Sequence, residues 1–208
     1  MEFRLTYAGP LYATQRDPLE GKPPKHTQNR HDIRKAFHGQ LKRLWGEIPA
    51  LKNGQGGGPM LLSMGGDREY VPPLTDIESL AKRHAHYGFN FVPLVTAELD
   101  LICGLDILFL RPDRPGGVIW AGDIDNRIKT LLDAMRIPEA GEGYSARQPD
   151  SDEQPFFCLL EDDKLISKIS VETDRLLQPI NNEAADARLV ITVRIRPYEL
   201  HGDNMHYG

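Results

Sequence analysis

Residues 3–8, Phe-Arg-Leu-Thr-Tyr-Ala, alternate apolar and polar side chains, the period of a half-buried strand, and Gly9-Pro10 ends it. A polar, proline-containing loop then runs to about Thr27. From Asn29 to Trp45 the apolar residues Ile33, Phe37, Leu41 and Leu44 recur at helical spacing, while Arg34, Lys35, Lys42 and Arg43 occupy other parts of the wheel. That spacing predicts an amphipathic helix with a basic exposed side. Gly54–Pro59 has the composition of a flexible connection and lacks the lysine of a phosphate-binding loop. Thr75-Asp76-Ile77-Glu78 fits a capping box, and Ile77, Leu80, Ala81 and His84 continue one face toward Gly88, where the helix is expected to stop.

Residues 89–111 are rich in Phe, Val, Leu and Ile and predict one or two strands, the better one at Leu105–Leu110. Arg111–Gly117 reads as a loop, and Val118-Ile-Trp-Ala leads into a helix with Ile128, Leu131, Leu132 and Met135 on its apolar side. Pro138 closes that helix. Residues 139–155 read as an acidic excursion, either a lid or a plain insertion. Phe156–Leu160 returns to the core, Ile169, Val171 and Thr173 alternate with polar residues, and Leu189–Ile195 is the clearest strand. The tail His201–Gly208 has little to bury.

With 208 residues, 40% hydrophobic and 26% charged, one domain over 1–208 with excursions is expected, in the composition range of a soluble globular protein. The net charge of -5 argues against coating nucleic acid by bulk attraction, yet it hides a split. Residues 22–52 hold eight lysines and arginines against Asp32 and Glu47, whereas 139–163 hold Arg147 alone against eight carboxylates. A basic footprint beside an acidic metal-binding region is the expectation drawn from this. Cys103 and Cys158 are too few for a disulfide framework or zinc spacing and read as small buried hydrophobes. Trp45 and Trp120 read as core residues. No signal-peptide core opens the chain and no apolar run approaches a membrane span, so a cytoplasmic location is the default expectation.

The chemistry concentrates in Asp123-Ile124-Asp125-Asn126, with Lys129 one turn after Asp125, and in Glu161-Asp162-Asp163. Two carboxylates at a strand-to-helix junction can aim at one point, and Lys129 lies on the helical face of Asp125. Hard oxygen ligands suit Mg²⁺ or Mn²⁺, which need only one or two carboxylates besides water and phosphate oxygens. The bland reading is a capping aspartate with a surface ion pair at Asp125–Lys129, and a solvated turn at 161–163.

The order Asp123-Ile-Asp125-Asn126, Lys129, the Leu-Leu-Asp-Ala run at 131–134 and then Glu161-Asp162-Asp163 before a hydrophobic strand resembles the RusA-like family of Holliday junction resolvases. The resemblance covers residues 98–175 well and the amino-terminal strand loosely. It implies a compact mixed α/β fold of the α+β class, with a mixed sheet packed by helices, a homodimer and Mg²⁺-dependent cutting of DNA junctions. Carried over, Asp123, Asp125 and Asp163 become metal-binding catalytic carboxylates, Lys129 the catalytic lysine, Asp162 a weaker ligand candidate and Asn126 a supporting hydrogen-bonding residue.

The chain departs from the minimal family pattern by a helix-containing insertion at about 28–88, an acidic insertion at 139–155 and a negative charge. Arg34, Lys35, Lys42 and Arg43 are the candidates for the missing phosphate contacts. The expected function is thus a Mg²⁺-dependent structure-selective endonuclease acting on four-way junctions or other branched DNA. The alternatives are a non-catalytic DNA- or protein-binding regulatory module on the same fold, and a nuclease retargeted to RNA or foreign DNA.

Overall fold

The computed structural model describes residues 1–13, 25–48, 51, 76–112, 123–139, 142, 147–178, 180–181 and 183–207. Among them the chain forms β1 (Glu2–Pro10), α1 (Lys25–Glu47), α2 (Ile77–Arg83), β2 (Ala85–His86), β3 (Phe89–Val95), β4 (Leu101–Arg111), α3 (Asp123–Met135), β5 (Phe156–Leu160), β6 (Ile166–Arg175) and β7 (Asp186–Pro197). Two mixed sheets result, one in the order β1-β7-β4-β6 and one in the order β2-β3-β5. In the larger sheet β7 runs antiparallel to both β1 and β4, and β6 is parallel to β4. The fold is α+β, the class expected above.

Alternation decides which face of the large sheet is inside. Leu101, Cys103, Leu105, Ile107 and Phe109 of β4 are buried, as are Ala187, Leu189, Ile191, Val193 and Ile195 of β7. Each large apolar side chain of this kind contributes about 1.5–3 kcal/mol by leaving water. Helix α1 packs Ile33, Phe37, Leu41 and Trp45 into the same core. On the other face of the sheet, charges form a ladder of alternating sign: Glu2 pairs with Arg194 at 2.8 Å, Arg194 with Asp106, and Asp106 with Lys168 at 3.0 Å. β5 reads as an unbroken apolar run because both its faces are covered. Phe157, Leu159 and Leu160 join the main core, while Phe156 and Cys158 join Phe89 and Phe91 in a second cluster. Burial pushes the Cys103 thiol up to about 12 and raises that of Cys158 as well, so both behave as small hydrophobes.

Several expectations need correction. The cap of α2 is Asp76, whose carboxylate accepts from the Ser79 N–H at 2.8 Å, and the helix ends at His84 rather than near Gly88. Tyr87 and Gly88, with φ of 51° and 79°, instead form the two-residue turn between β2 and β3, the primed geometry that matches strand twist. The tail is not idle. Asn204 is fully buried and donates to the carbonyls of Leu99 at 2.9 Å and Glu199 at 2.7 Å, and the Tyr207 side chain is buried. The Met1 ammonium donates to the carbonyls of Ile195 and Tyr207, which ties β1, β7 and the tail together. The connection at Gly54–Pro59, Thr75 of the capping box, the end of the 111–117 loop, and Val118–Ala121 with Trp120 lie outside the described residues. Among the described residues no helix is long and apolar enough to cross a membrane.

Candidate active site

Helix α3 divides its residues by chemistry. Leu131, Ala134 and Met135 are buried in the core, Ile124 is buried as well, and Asp125, Asn126 and Lys129 are exposed. Asp125, Lys129, Leu132 and Arg136 follow one another at steps of four, three and four, so they form one strip along the helix. Coverage rises along that strip: Leu132 is half-buried and Arg136 is 5% exposed. Asp123 is the first residue of α3, and its side chain lies outside the described residues.

The second acidic cluster follows β5. Glu161 ties back to the end of β3, its N–H donating to the Val95 carbonyl and its carboxylate accepting from the Ala97 N–H, both at 2.9 Å. Asp162 has extended backbone and caps a short 3-10 turn at Asp163–Leu165, accepting from the Lys164 N–H at 2.9 Å. That backbone bond, followed by the Lys164 ammonium at 3.3 Å, holds its carboxyl below the usual range. Asp163 stands differently. Its carboxylate is 46% exposed, lies 3.8 Å from Arg136 Nε, and lines a groove of about 310 Å³ with Leu132, Ile166, Lys168 and Ile169. The sequence leaves open which of the two aspartates faces α3; the cap assigns Asp162 to the turn and Asp163 to the groove.

Asp163 thus meets the carboxy-terminal half of the α3 strip. Asp125 and Leu132 are seven residues apart, about 10 Å along the axis at 1.5 Å per residue. Two ligands of one Mg²⁺ stand at most about 4 Å apart, twice a metal–oxygen bond. Asp125 and Asp163 therefore occupy two ends of one strip with Lys129 between them. Among the described residues no three His, Cys, Asp or Glu side chains converge on a common point. The donor chemistry, carboxylate oxygens open to solvent at Asp125, fits a hard divalent cation; the described positions separate the two acidic ends.

What the sequence conceals is a buried charge network behind the strip. Glu142 receives Arg34 Nη2 and Arg136 Nη2, each at 2.7 Å, and Asp133 receives Arg30 and Arg136 at 3.3 Å. Arg34 also donates to the Asp133 carbonyl. These five side chains are all 10% exposed or less. Burial acts to lower the Arg136 pKa, but the carboxylates of Glu142, Asp133, Glu139 and Asp163 raise it further, so the guanidinium stays charged. Arg136 links the network to Asp163. It also borders a second cleft of about 460 Å³ against the β2–β3 hairpin, lined by His84, Tyr87, Glu161 and Asp162 among others.

The basic side of α1 is only in part the open footprint that its sequence suggests, with Lys42 and Arg43 exposed and Arg34 turned inward. Arg34 is 2% exposed and faces inward, because a buried carboxylate partner makes the inside of the molecule favourable for it. Lys35 pairs with Asp150 at 2.7 Å and Glu153 at 3.2 Å, Lys42 donates to the Asp152 carbonyl at 3.3 Å, and Arg43 pairs with Glu47 at 2.7 Å. His38 accepts from the Phe157 N–H through Nδ1 and places Nε2 3.0 Å from the Asp152 carbonyl. Glu142 and the acidic segment 147–153 are thus the complement of part of the basic helix, the latter packed against it as a strap. No clue to these pairs exists in local spacing, since Arg34 and Glu142 are 108 positions apart. No protein-family model matches the chain, and neither does any curated protein.

Proposed function

We propose that this chain is a Mg²⁺-dependent, structure-selective endonuclease that hydrolyses phosphodiesters of branched DNA, four-way junctions being the first candidates. The observation that supports the reading is the α3 strip, an exposed Asp125 and Lys129 leading into the groove that Asp163 borders. In this reading Asp123 and Asp125 hold the metal at the amino-terminal end of α3, and Asp163 supplies a further carboxylate across the groove. Bound Mg²⁺ would supply an activated water and stabilise charge on the phosphate and the leaving oxygen. Lys129, between the two acidic ends, places its ammonium against the charge that builds on the phosphate. Removing one such electrostatic contact costs on the order of 10²–10³ in kcat. Asn126, exposed beside Asp125, contributes a supporting hydrogen bond. Two copies related by a two-fold axis would present two such strips to the two-fold symmetry of a junction.

The test is cleavage of labelled four-way, flap, duplex and single-stranded DNA, and of RNA, with Mg²⁺ and with Mn²⁺. Asp123→Asn and Asp125→Asn are expected to lose cutting while keeping DNA binding. Unimpaired cutting by both variants would remove these carboxylates from the mechanism.

A second reading, a non-catalytic DNA- or protein-binding module, is favoured by one observation: Lys35 on the basic side of α1 is paired with the strap's own Asp150 and Glu153. Titration with Mg²⁺ and Mn²⁺ separates the two, since a module of that kind has no reason to bind either ion at millimolar concentration.

A further inference from the structure

β6 closes one side of the large sheet, and among the described residues no strand pairs with its outer edge. It is ten residues long, and most of its side chains are exposed, Ile169 at 44% among them. Such an edge presents a row of unpaired N–H and C=O groups, which proteins normally cover or blunt. The strand does carry a blunting feature at its start, a register shift against β4 between Cys103 and Gly104. From Lys168 to Arg175 the pairing with β4 is regular, so the outer edge is straight there.

We infer that this edge is the contact surface for a second copy of the chain, two β6 strands pairing antiparallel about a two-fold axis at Ser170. The register follows from the side chains. With Ser170 opposite its own copy, Lys168 faces Glu172, Ile169 faces Val171 and Ser167 faces Thr173, each twice by symmetry. The charge ladder supplies an independent argument. Across Glu2, Arg194, Asp106 and Lys168 the sign alternates and stops at the free edge on a cation, with the Lys168 side chain 63% exposed. The next member should be an anion, and the Glu172 of a second β6 stands there. Placing the axis at Val171 instead keeps an ion pair, Lys168 with Asp174, but sets Ile169 opposite Thr173 and loses the Ile169–Val171 contact.

On the core-side face, Ile166, Ile169, Val171 and Thr173 align with Cys103, Leu105, Ile107 and Phe109 of β4. Ile169 would there gain an apolar neighbour across the axis. The two Ile166 residues, each beside an Asp163 groove, would lie about 27 Å apart, eight residues at the antiparallel rise. The inference names the surface of the two-fold arrangement invoked above and rests on that reading only for the use of the two grooves; pairing itself requires no catalysis.

The experiment is the mass of the intact chain by light scattering or sedimentation over a concentration series, with Glu172→Lys, Lys168→Glu, their equimolar mixture and Ser170→Cys. The wild type should reach twice 23.4 kDa. Either single variant should weaken the dimer at least about tenfold, because two favourable pairs become like-charge pairs. The mixture should restore it as a heterodimer, which loss of folding in either variant could not imitate. Ser170→Cys should form an intermolecular disulfide on mild oxidation, since directly opposed Cα atoms are about 4.5–5.5 Å apart. A wild type that stays monomeric overturns the inference, with protected β6 amides in that monomer assigning the edge to another segment of the chain. A dimer indifferent to all four tests overturns it as well. Junction cleavage by the same samples is read separately, so an active enzyme with a different interface is told apart from an inactive dimer.

Discussion

Replacing Glu142 with alanine removes a carboxylate shared by Arg34 and Arg136. Both bridges are 2.7 Å long, and the three side chains are 1%, 6% and 9% exposed. The variant leaves two guanidinium groups with less compensation: Arg34 keeps the Asp133 carbonyl, and Arg136 keeps Asp133 at 3.3 Å, Glu139 at 3.4 Å and the Ile137 carbonyl at 3.0 Å. Breaking a buried pair by deleting one partner costs about 3–5 kcal/mol. At about 2–4 °C per kcal/mol for a chain of this size, the melting temperature should fall by roughly 6–20 °C. Thermal unfolding followed by circular dichroism, with urea titration at 25 °C, measures both quantities.

The double variant Arg34→Met/Glu142→Leu sharpens the test. If uncompensated charge is the cause, removing one arginine together with the glutamate should recover part of the loss, since apolar substitutes for a buried ion pair are often neutral or stabilising. A loss under about 1 kcal/mol for Glu142→Ala would show that water or a side-chain movement satisfies the arginines, and the network would then have no claim to organise α3.

His31 is buried, 3.3 Å from Glu153, and burial, with lesser contributions from Arg147, Lys35 and Arg34, lowers its pKa to about 4. Its folded form therefore favours the neutral ring: the contribution to stability is present above the unfolded pKa of 6.5 and declines as pH falls from there toward 4. His31→Asn should flatten that part of the stability curve, and an unchanged slope between pH 6.5 and 4 would reassign it to other groups. Asn204→Ala should destabilise by about 1–3 kcal/mol, because the buried Leu99 carbonyl and the part-buried Glu199 carbonyl lose their donor; a chemical denaturation curve with an unmoved midpoint would show that the tail contributes nothing.

Periodicity made much of the fold legible. The alternation at 3–8 and 189–195 gives the two strands β1 and β7, and the helical spacing of Ile33, Phe37 and Leu41 gives α1. Periodicity is silent about partners, and partners set what it leaves open. Arg34 carries a charge and its sequence places it outside, because polarity reports the cost of burial and not the presence of a carboxylate 108 residues away. Gly88 is a breaker that turns the β2–β3 hairpin and does not end α2, since a positive-φ position terminates a helix or turns a hairpin equally well. In the candidate site, the shared face of Asp125 and Lys129 follows from spacing alone. The distinction between Asp162 and Asp163 does not, because it depends on which carboxylate is within reach of the Lys164 N–H.

The strap across α1 makes the helix compete with itself. Asp150 and Glu153 stand in the same chain as Lys35, so any external phosphate meets a tethered rival whose effective concentration is in the millimolar range or above. Each lysine that stays with its internal carboxylate releases no counterion when a polyanion arrives, and the salt dependence of binding becomes shallower by about 0.9 in logarithmic slope per lysine withheld. The slope of affinity against salt therefore counts how many basic residues the strap gives up, and it does so without any mutation.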